Sequence, residues 1–224
     1  MTKTTIEDLK ARVRKVISKL RRAYPDAKCS LNHSNAFELL IATILSAQCT
    51  DARVNIVTQD LFRKYRKPED YLKVSPVELQ QDIRTTGFFR NKTTSIQGTA
   101  KVLHEQYGDQ VPQTMEELLE LPGVARKTAN VVLGNAFGIS AGVVVDTHVT
   151  RLSHRLEFSD EKTAEKIEQD LIAIVPKKDW VMFPHLMIAH GRATCKARNP
   201  LCAECAVEKL CPASFLKTGV TPGS

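Results

Sequence analysis

Four of the chain's six cysteines, Cys195, Cys202, Cys205 and Cys211, fall within seventeen residues in the pattern C-x6-C-x2-C-x5-C. Soft thiolate ligands held that close select tetrahedral zinc or an iron–sulfur cluster, and ligation keeps them deprotonated. Disulfides are the weaker reading, because they persist mainly in oxidising compartments and the chain shows no route to one. The spacing leaves zinc and iron open. A zinc ribbon usually carries two C-x2-C knuckles, and here only Cys202 and Cys205 form one.

A second constellation could carry covalent chemistry. Leu121-Pro122-Gly123-Val124-Ala125-Arg126-Lys127-Thr128-Ala129 joins two predicted helices through a tight turn, and the second helix starts inside it. Backbone N–H groups at a helix start are unpaired and lie at the positive end of the helix dipole, so such a turn can hold a phosphate without a cationic side chain. Taken alone, an ordinary helical hairpin is the plainer reading of a Pro-Gly turn. Lys127 lies near that helix start, where the dipole disfavours a further positive charge and partial burial would favour the neutral, nucleophilic amine. A lone lysine is otherwise a solvated surface residue. Asp146 follows nineteen positions later. The helix from Lys127 to Phe137 rises about 15 Å, and the connection from Gly138 to Asp146 can extend about 26 Å, so the carboxylate can return to the amine. At the N-cap of the next helix, an ionised Asp146 could favour a developing cation or take up a proton; a simple cap is the alternative.

The elements that must position these groups read as helices. Ile6, Leu9, Val13, Val16, Ile17 and Leu20 recur at helical spacing with basic residues between them, and Pro25 stops the helix. Asn35 and Glu38 resemble a capping box before the apolar run Phe37 to Gln48, which predicts a buried helix. Val54, Val57, Leu61 and Tyr65 mark the next. Further helices are predicted over Pro76 to Ile83, Ile96 to Tyr107, Met115 to Leu119 behind a Thr114/Glu117 box, Arg126 to Phe137 ending at Gly138, Thr163 to Val175, and a short one with Pro184 in its first turn ending at Gly191. Alternating strand patterns are confined to the brief Gly142 to Val145 run. The fold class expected is all-α, without repeats, and the tail after Cys211, with Gly219, Pro222 and Gly223, is expected to be disordered.

Composition bounds the partners. The 224 residues are 42% hydrophobic and 25% charged, an ordinary globular balance that can build a real core. Met1 to Glu7 lacks the apolar core of a signal peptide, and the most apolar stretch, Ala36 to Ala47, is too short to span a bilayer and contains Glu38. A cytoplasmic protein without a membrane partner is expected. A net charge of +7 and a pI of about 9.1 favour a polyanion, nucleic acid first, although a merely soluble basic protein would share them.

With these residues in view, the chain resembles the endonuclease III branch of the helix-hairpin-helix DNA glycosylases. The resemblance rests on Leu121 to Ala129, on Val145-Asp146-Thr147-His148, on Leu45-Ser46-Ala47-Gln48-Cys49-Thr50-Asp51 and on the four cysteines, in family order over nearly the whole chain. It implies that Cys195, Cys202, Cys205 and Cys211 bind a 4Fe-4S cluster. It implies that Lys127 attacks C1′ of a damaged pyrimidine nucleotide flipped from the duplex, leaving a Schiff base that proceeds by β-elimination, with Asp146 assisting. The sister adenine glycosylases lack this lysine and carry a further C-terminal domain.

The same resemblance assigns DNA contacts. Gln48 matches a glutamine that fills the space left by the flipped nucleotide, although a helix C-terminal cap is its plainer role. Phe88, in Gly87-Phe88-Phe89-Arg90-Asn91-Lys92, matches an apolar wedge, although an aromatic pair is more often core packing and either ring could point outward. Gly123 and Ala125 would present amides to a phosphate, and Lys196 and Arg198 would meet the DNA backbone beside a cluster whose four thiolates leave no open ligand position. Glu120 matches a buried carboxylate near the lysine with a possible part in proton handling, or is a plain helix-end residue. Three departures stand out. Ala125 occupies the hairpin's second glycine, so a positive φ there would be strained. Asn199 and Leu201 replace basic residues common in the cluster loop, and Phe88, Phe89 and Thr93 replace the more usual Leu, Tyr and Ala.

The expectation is therefore a two-lobed helix-hairpin-helix glycosylase fold with an iron–sulfur cluster loop. Residues 29–140 would form a contiguous helical domain, and residues 1–28 with 141–224 a cluster domain, with Lys127 and Asp146 at the cleft. The function expected is a monomeric, nucleoid-associated DNA glycosylase and AP lyase acting on double-stranded DNA with oxidised pyrimidines or abasic sites. A non-catalytic, metal-stabilised helical DNA-binding module is the alternative.

Overall fold

The computed structural model describes residues 5–219, and among them regular structure is entirely helical. The Gly142 to Val145 segment runs as irregular chain. The protein divides into two compact units, one spanning Cys29–Ala141 and the other assembled from the segments before and after it. No described helix is long and apolar enough to cross a membrane.

The chain opens with α1 (Ile6–Ala23), started by a reciprocal box in which Thr5 caps the Asp8 N–H and the Asp8 carboxylate accepts from Thr5. Its buried stripe is Val13, Val16, Ile17 and Leu20, as the periodicity predicts. The Cys29–Ala141 unit then contains α2 (Ala36–Leu45), α3 (Asp51–Lys64), α4 (Pro68–Lys73), α5 (Pro76–Asp82), a 3-10 turn at Arg84–Thr86, α6 (Phe89–Gln106), α7 (Met115–Leu119) and α8 (Arg126–Phe137). Its core gathers α2 almost whole, with Leu39, Leu40, Ile41, Ala42 and Leu45 fully buried, against Tyr71, Leu79, Ile96, Leu103, Ala129 and Val132. Each buried Leu or Ile side chain contributes roughly 1.5–3 kcal/mol, so α2 is a principal source of this unit's stability.

Helices α2, α6 and α4 differ from what the periodicity predicts. Helix α2 stops at Leu45, not Gln48, because the Ser46 hydroxyl turns back onto the Thr43 carbonyl and Thr50 caps α3 four residues on, leaving Gln48 in a left-handed conformation with φ 52°. The Asn35 cap forms, but the Glu38 carboxylate reaches past it to the Ser34 N–H. Helix α6 begins at Phe89, well before Ile96, because two polar residues of its first turns, Lys92 and Thr93, are buried and conceal the apolar stripe. Helix α4 has no apolar periodicity to reveal it; proline at its first position and the buried Tyr71 define it.

The second unit continues with α9 (Thr147–Arg155), α10 (Ala164–Ile174), α11 (Met182–Ala193) and α12 (Phe215–Thr218). Val149, Leu152, Ile167, Leu171, Phe183 and Met187 pack with the α1 stripe. Helix α11 starts two residues before Pro184, which sits in its first turn without needing an N–H partner. The expectation of disorder after Cys211 is wrong for the described part: Ser214 is buried on the Glu208 carboxylate, Lys217 donates to the carbonyls of Glu208, Lys209 and Cys211, and residues 215–218 are helical. Pro222 and Gly223 lie outside the described residues.

Thr93 is 2% exposed, and its hydroxyl has no hydrogen-bond partner. A buried hydroxyl left unpaired costs about 1–3 kcal/mol, so Thr93→Val should stabilise the protein by about 1 kcal/mol. The check is a higher urea midpoint at unchanged m-value.

Candidate functional site

In the Cys29–Ala141 unit the hairpin is built from α7, the turn after it and α8. Leu121 and Val124 are buried, and the Val124 N–H closes the turn on the Leu121 carbonyl at 3.1 Å. Gly123 has φ +79°, and a Cβ there would stand 2.6 Å from Cβ and Oγ of Ser95 on α6, so both conformation and space demand glycine. One turn further along α6, the Thr99 hydroxyl donates to the Pro122 carbonyl at 2.7 Å. Ala125, by contrast, has φ −96° and ψ 169°, ordinary extended backbone; the strain expected at the missing second glycine is absent. As the N-cap of α8, Ala125 offers no side-chain oxygen to the first N–H groups of that helix.

Lys127 is the second residue of α8 and is exposed, so the partial burial that sequence reasoning invoked does not occur. Glu120 caps the C-terminus of α7 and is exposed too, correcting its expected burial; Leu118 and Leu121 on either side take the core positions.

Two further DNA-contact candidates lie in turns of this same unit, and both have left-handed backbones, at Gln48 (φ 52°) and Phe88 (φ 46°). A non-glycine residue held there costs roughly 1 kcal/mol or more, and such strain concentrates at functional sites. Both side chains are exposed, Phe88 at 60%, while Phe89 packs on the core; this decides which ring of the pair points outward. Beneath them is a residue to which sequence reasoning assigned no role. Lys92 is 5% exposed, and its ammonium donates to the carbonyls of Leu45, at 2.8 Å, and Thr86, at 2.7 Å. Burial holds its pKa below the ordinary lysine value.

In the other unit, Asp146 is the N-cap of α9, its Oδ1 accepting the Val149 N–H at 2.8 Å. The far end of α9 grips the cysteine loop. Arg151 donates to the carbonyls of Gly191 and Cys195, both at 3.1 Å. Arg155, buried, donates to Cys195 Sγ at 3.2 Å and to the carbonyls of Lys196 and Ala197 at 2.7 and 2.9 Å. This leaves Lys196 and Arg198 on the exposed outer side of the loop. Arg151 and Arg155, spaced four apart on one helix face, went unnoticed in the sequence because two arginines at that spacing are common on solvated helices.

Cys195, Cys202, Cys205 and Cys211 all line one cavity of about 20 Å³, with Leu152, Arg155, His190 and Val207 among the other residues of its wall. Burial first, and then the neighbouring sulfurs of Cys195, Cys211 and Cys202, push the Cys205 thiol up to about 11; burial and the Cys195 and Cys202 sulfurs also raise Cys211. Four thiolates crowded in an apolar wall need a cationic centre to exist together, so the donor set fits a thiolate-bound metal group. Among the described residues, no three His, Cys, Asp or Glu side chains converge as ligands of a single ion. His190 connects this wall to Tyr24, with Nε2 3.5 Å from Cys205 Sγ and Nδ1 2.9 Å from the Tyr24 hydroxyl.

A helical hairpin with a lysine in the first turn of its second helix, in a chain that also carries a four-cysteine loop, defines a class, and comparison with known proteins agrees. The family model described as "HhH-GPD superfamily base excision DNA repair protein" matches residues 41–177. Within that superfamily the chain belongs to the endonuclease III family. It is 51% identical over 205 residues to the endonuclease III of Synechocystis sp., covering 92% of this chain and 94% of that one. Its fold matches an endonuclease III solved as a non-covalent DNA complex, with TM-score 0.88, 46% identity, and 94% and 99% of the two chains covered. A trapped endonuclease III–DNA covalent intermediate is similar with TM-score 0.87 and 46% identity, over 93% of this chain and 98% of that one.

Burial holds His190 at about 4 and lowers His185 as well. An unfolded histidine titrates near 6.5, so between about pH 6.5 and 4 the unfolded chain binds protons that the native one excludes. Stability should be fully present above about pH 6.5 and fall as pH drops toward 4, measured as a declining urea midpoint across that window.

Proposed function

We propose that this chain is a bifunctional DNA glycosylase and abasic-site lyase of base-excision repair, acting as a monomer on oxidised pyrimidines in duplex DNA. The observation that carries the reading is an exposed Lys127 in the first turn of α8, directly after a turn whose N–H groups are not capped by the Ala125 side chain. In an endonuclease III family member, that is an amine beside an anion-binding helix start.

The chemistry follows from these groups. The neutral Lys127 amine attacks C1′ of the flipped nucleotide, the glycosidic bond breaks, and the base leaves with the bonding electrons and takes up a proton. Opening of the sugar ring converts the adduct to a Schiff base. Loss of a C2′ proton then expels the 3′ phosphate oxygen by β-elimination, and water releases the lysine. Asp146 would stabilise the cationic sugar and accept a proton in activating Lys127. Its Oδ1 is engaged by the cap, which fixes the carboxylate's orientation and leaves Oδ2 outside that bond. Gln48, with both donor and acceptor atoms, would occupy the vacated space, and Phe88 would wedge between bases. The amides of Gly123 and Ala125 would take a backbone phosphate, with Lys196 and Arg198 adding charge on the other unit. Glu120, exposed at the end of α7, is left at most a minor part in proton handling.

Cys195, Cys202, Cys205 and Cys211 would hold a 4Fe-4S cluster. Such a group supplies structural cross-linking and local charge, since four thiolates leave no position for substrate. The sulfurs line a cavity wall rather than meeting at a point, which suits a polynuclear group better than a single zinc ion. The protein would work at the nucleoid, in the cytoplasm.

Two measurements test this. Borohydride should trap native protein on duplex abasic DNA, and Lys127→Gln should lower the trapped yield by at least about 10²-fold. Equal trapping by the variant would remove Lys127 as nucleophile, and DNA binding with no adduct from native protein would favour a non-catalytic binding module. Anaerobically purified protein should be brown, with four irons per chain, and Cys202→Ser should lose the colour and unfold at lower temperature; a colourless zinc protein would overturn the cluster assignment.

A further inference from the structure

The buried lysine beneath the two strained turns has no part in the chemistry above, yet it touches both segments that carry the exposed Gln48 and Phe88. Leu45 is the last residue of α2, and Thr86 the last of the 3-10 turn, so each accepting carbonyl lies at the negative end of a helical segment. Lys92 thus closes the C-termini of two elements from a third. Its own N–H donates to the Phe88 carbonyl at 3.0 Å, so it holds the Gly87-Phe88 segment from both sides. The Thr86 hydroxyl, also buried, pins the same turn to the Ile83 carbonyl at 2.8 Å.

A buried ammonium is an expensive way to close a core. An apolar side chain of the same length would avoid the desolvation, and the two groups that the ammonium binds are neutral carbonyls. What the ammonium does that an apolar side chain cannot is bind two carbonyls at once and so fix the separation of two turns distant in sequence. Those turns hold two exposed, left-handed, non-glycine residues, one an amide and one an aromatic ring. Neither conformation is favourable alone, and each persists only if the surrounding backbone is over-determined.

We propose that Lys92 is a positioning residue that locks the Gln48 and Phe88 turns into one rigid probe for the interior of the DNA duplex. This rests on the proposed glycosylase/lyase function, because the probe's task is to open a duplex and present a nucleotide to Lys127. An abasic site in single-stranded DNA needs no duplex opening, so the clamp and the nucleophile can be read separately.

The test compares native protein with Lys92→Met, which keeps the stem length and removes the ammonium. Borohydride trapping on single-stranded abasic DNA should stay within about threefold of native, while single-turnover excision of an oxidised pyrimidine from duplex DNA should fall at least about tenfold, as expected for loss of positioning rather than of a reacting group. Adding Lys92→Met to a Gln48→Ala/Phe88→Ala background should cost little more, because the lysine acts through those residues. Parallel losses on single and double strands, an additive loss in that background, or unchanged duplex excision would each overturn the proposal. If the methionine variant does not fold, Lys92→Gln, which keeps an N–H donor, takes its place, and failure of both to fold would make Lys92 a stability residue and end the proposal. Native protein that traps on no abasic DNA would instead defeat the parent reading.

Discussion

The Cys29–Ala141 unit depends on how closely the Pro122-Gly123 turn lies on α6. Gly123 leaves no room for a methyl group against Ser95, Thr99 holds the Pro122 carbonyl, and a Cβ on Gly98 would stand 3.0 Å from the Pro122 ring. That contact sets where α8 begins and therefore where Lys127 stands. The same helix carries Phe88 at its start and Lys92 one turn in. Its one face thus holds three features proposed to meet DNA: the hairpin, the Phe88 turn and, through Lys92, the Gln48 turn. Interiors packed at crystal-like density transmit small displacements, so a shift of α6 would move all three together.

Helix α9 does comparable work in the other unit. Its first turn is capped by Asp146, which accepts the Val149 N–H, and its later turns reach the cysteine loop through Arg151 and Arg155. A metal group on the four cysteines would therefore lie at one end of a helix of nine residues, and Asp146, the carboxylate proposed to assist the reaction, at the other. This would give a metal group remote from the proposed reaction a physical purpose. Such a group would fix the fold of the loop, which in turn buries Arg155 on its carbonyls.

The two polar clamps share a logic. Lys92 and Arg155 are both buried cations that donate to backbone carbonyls. Each binds a turn that has few apolar side chains to anchor it, and a charged hydrogen bond to a carbonyl is stronger than a neutral one. Both turns carry left-handed residues nearby, Gln48 and Phe88 in one case and Asn199 in the other. Where hydrophobic packing cannot hold a loop, directional bonds from a fixed cation do so.

Much of this was legible in the sequence because it is local. The bounds of α7 and α8, the Asp146 cap and the stripe of α1 follow from side-chain spacing and capping chemistry that act within a few residues. The cysteine spacing and the hairpin motif were likewise legible as local patterns, and the structure brings the four cysteines to one cavity and starts α8 directly after the turn. What only the tertiary structure decided is long-range. Ala125 is unstrained because its backbone is extended, Glu120 and Lys127 are exposed because Leu118, Leu121 and Val124 fill the core beside them, and Phe88 rather than Phe89 faces out. Lys92 and Arg155 look like surface residues in a chain with 32 lysines and arginines, and only the path of the backbone 40 or more residues away turns them into clamps. Capping and periodicity are written in neighbouring residues, whereas the partner of a buried cation is chosen by the whole fold.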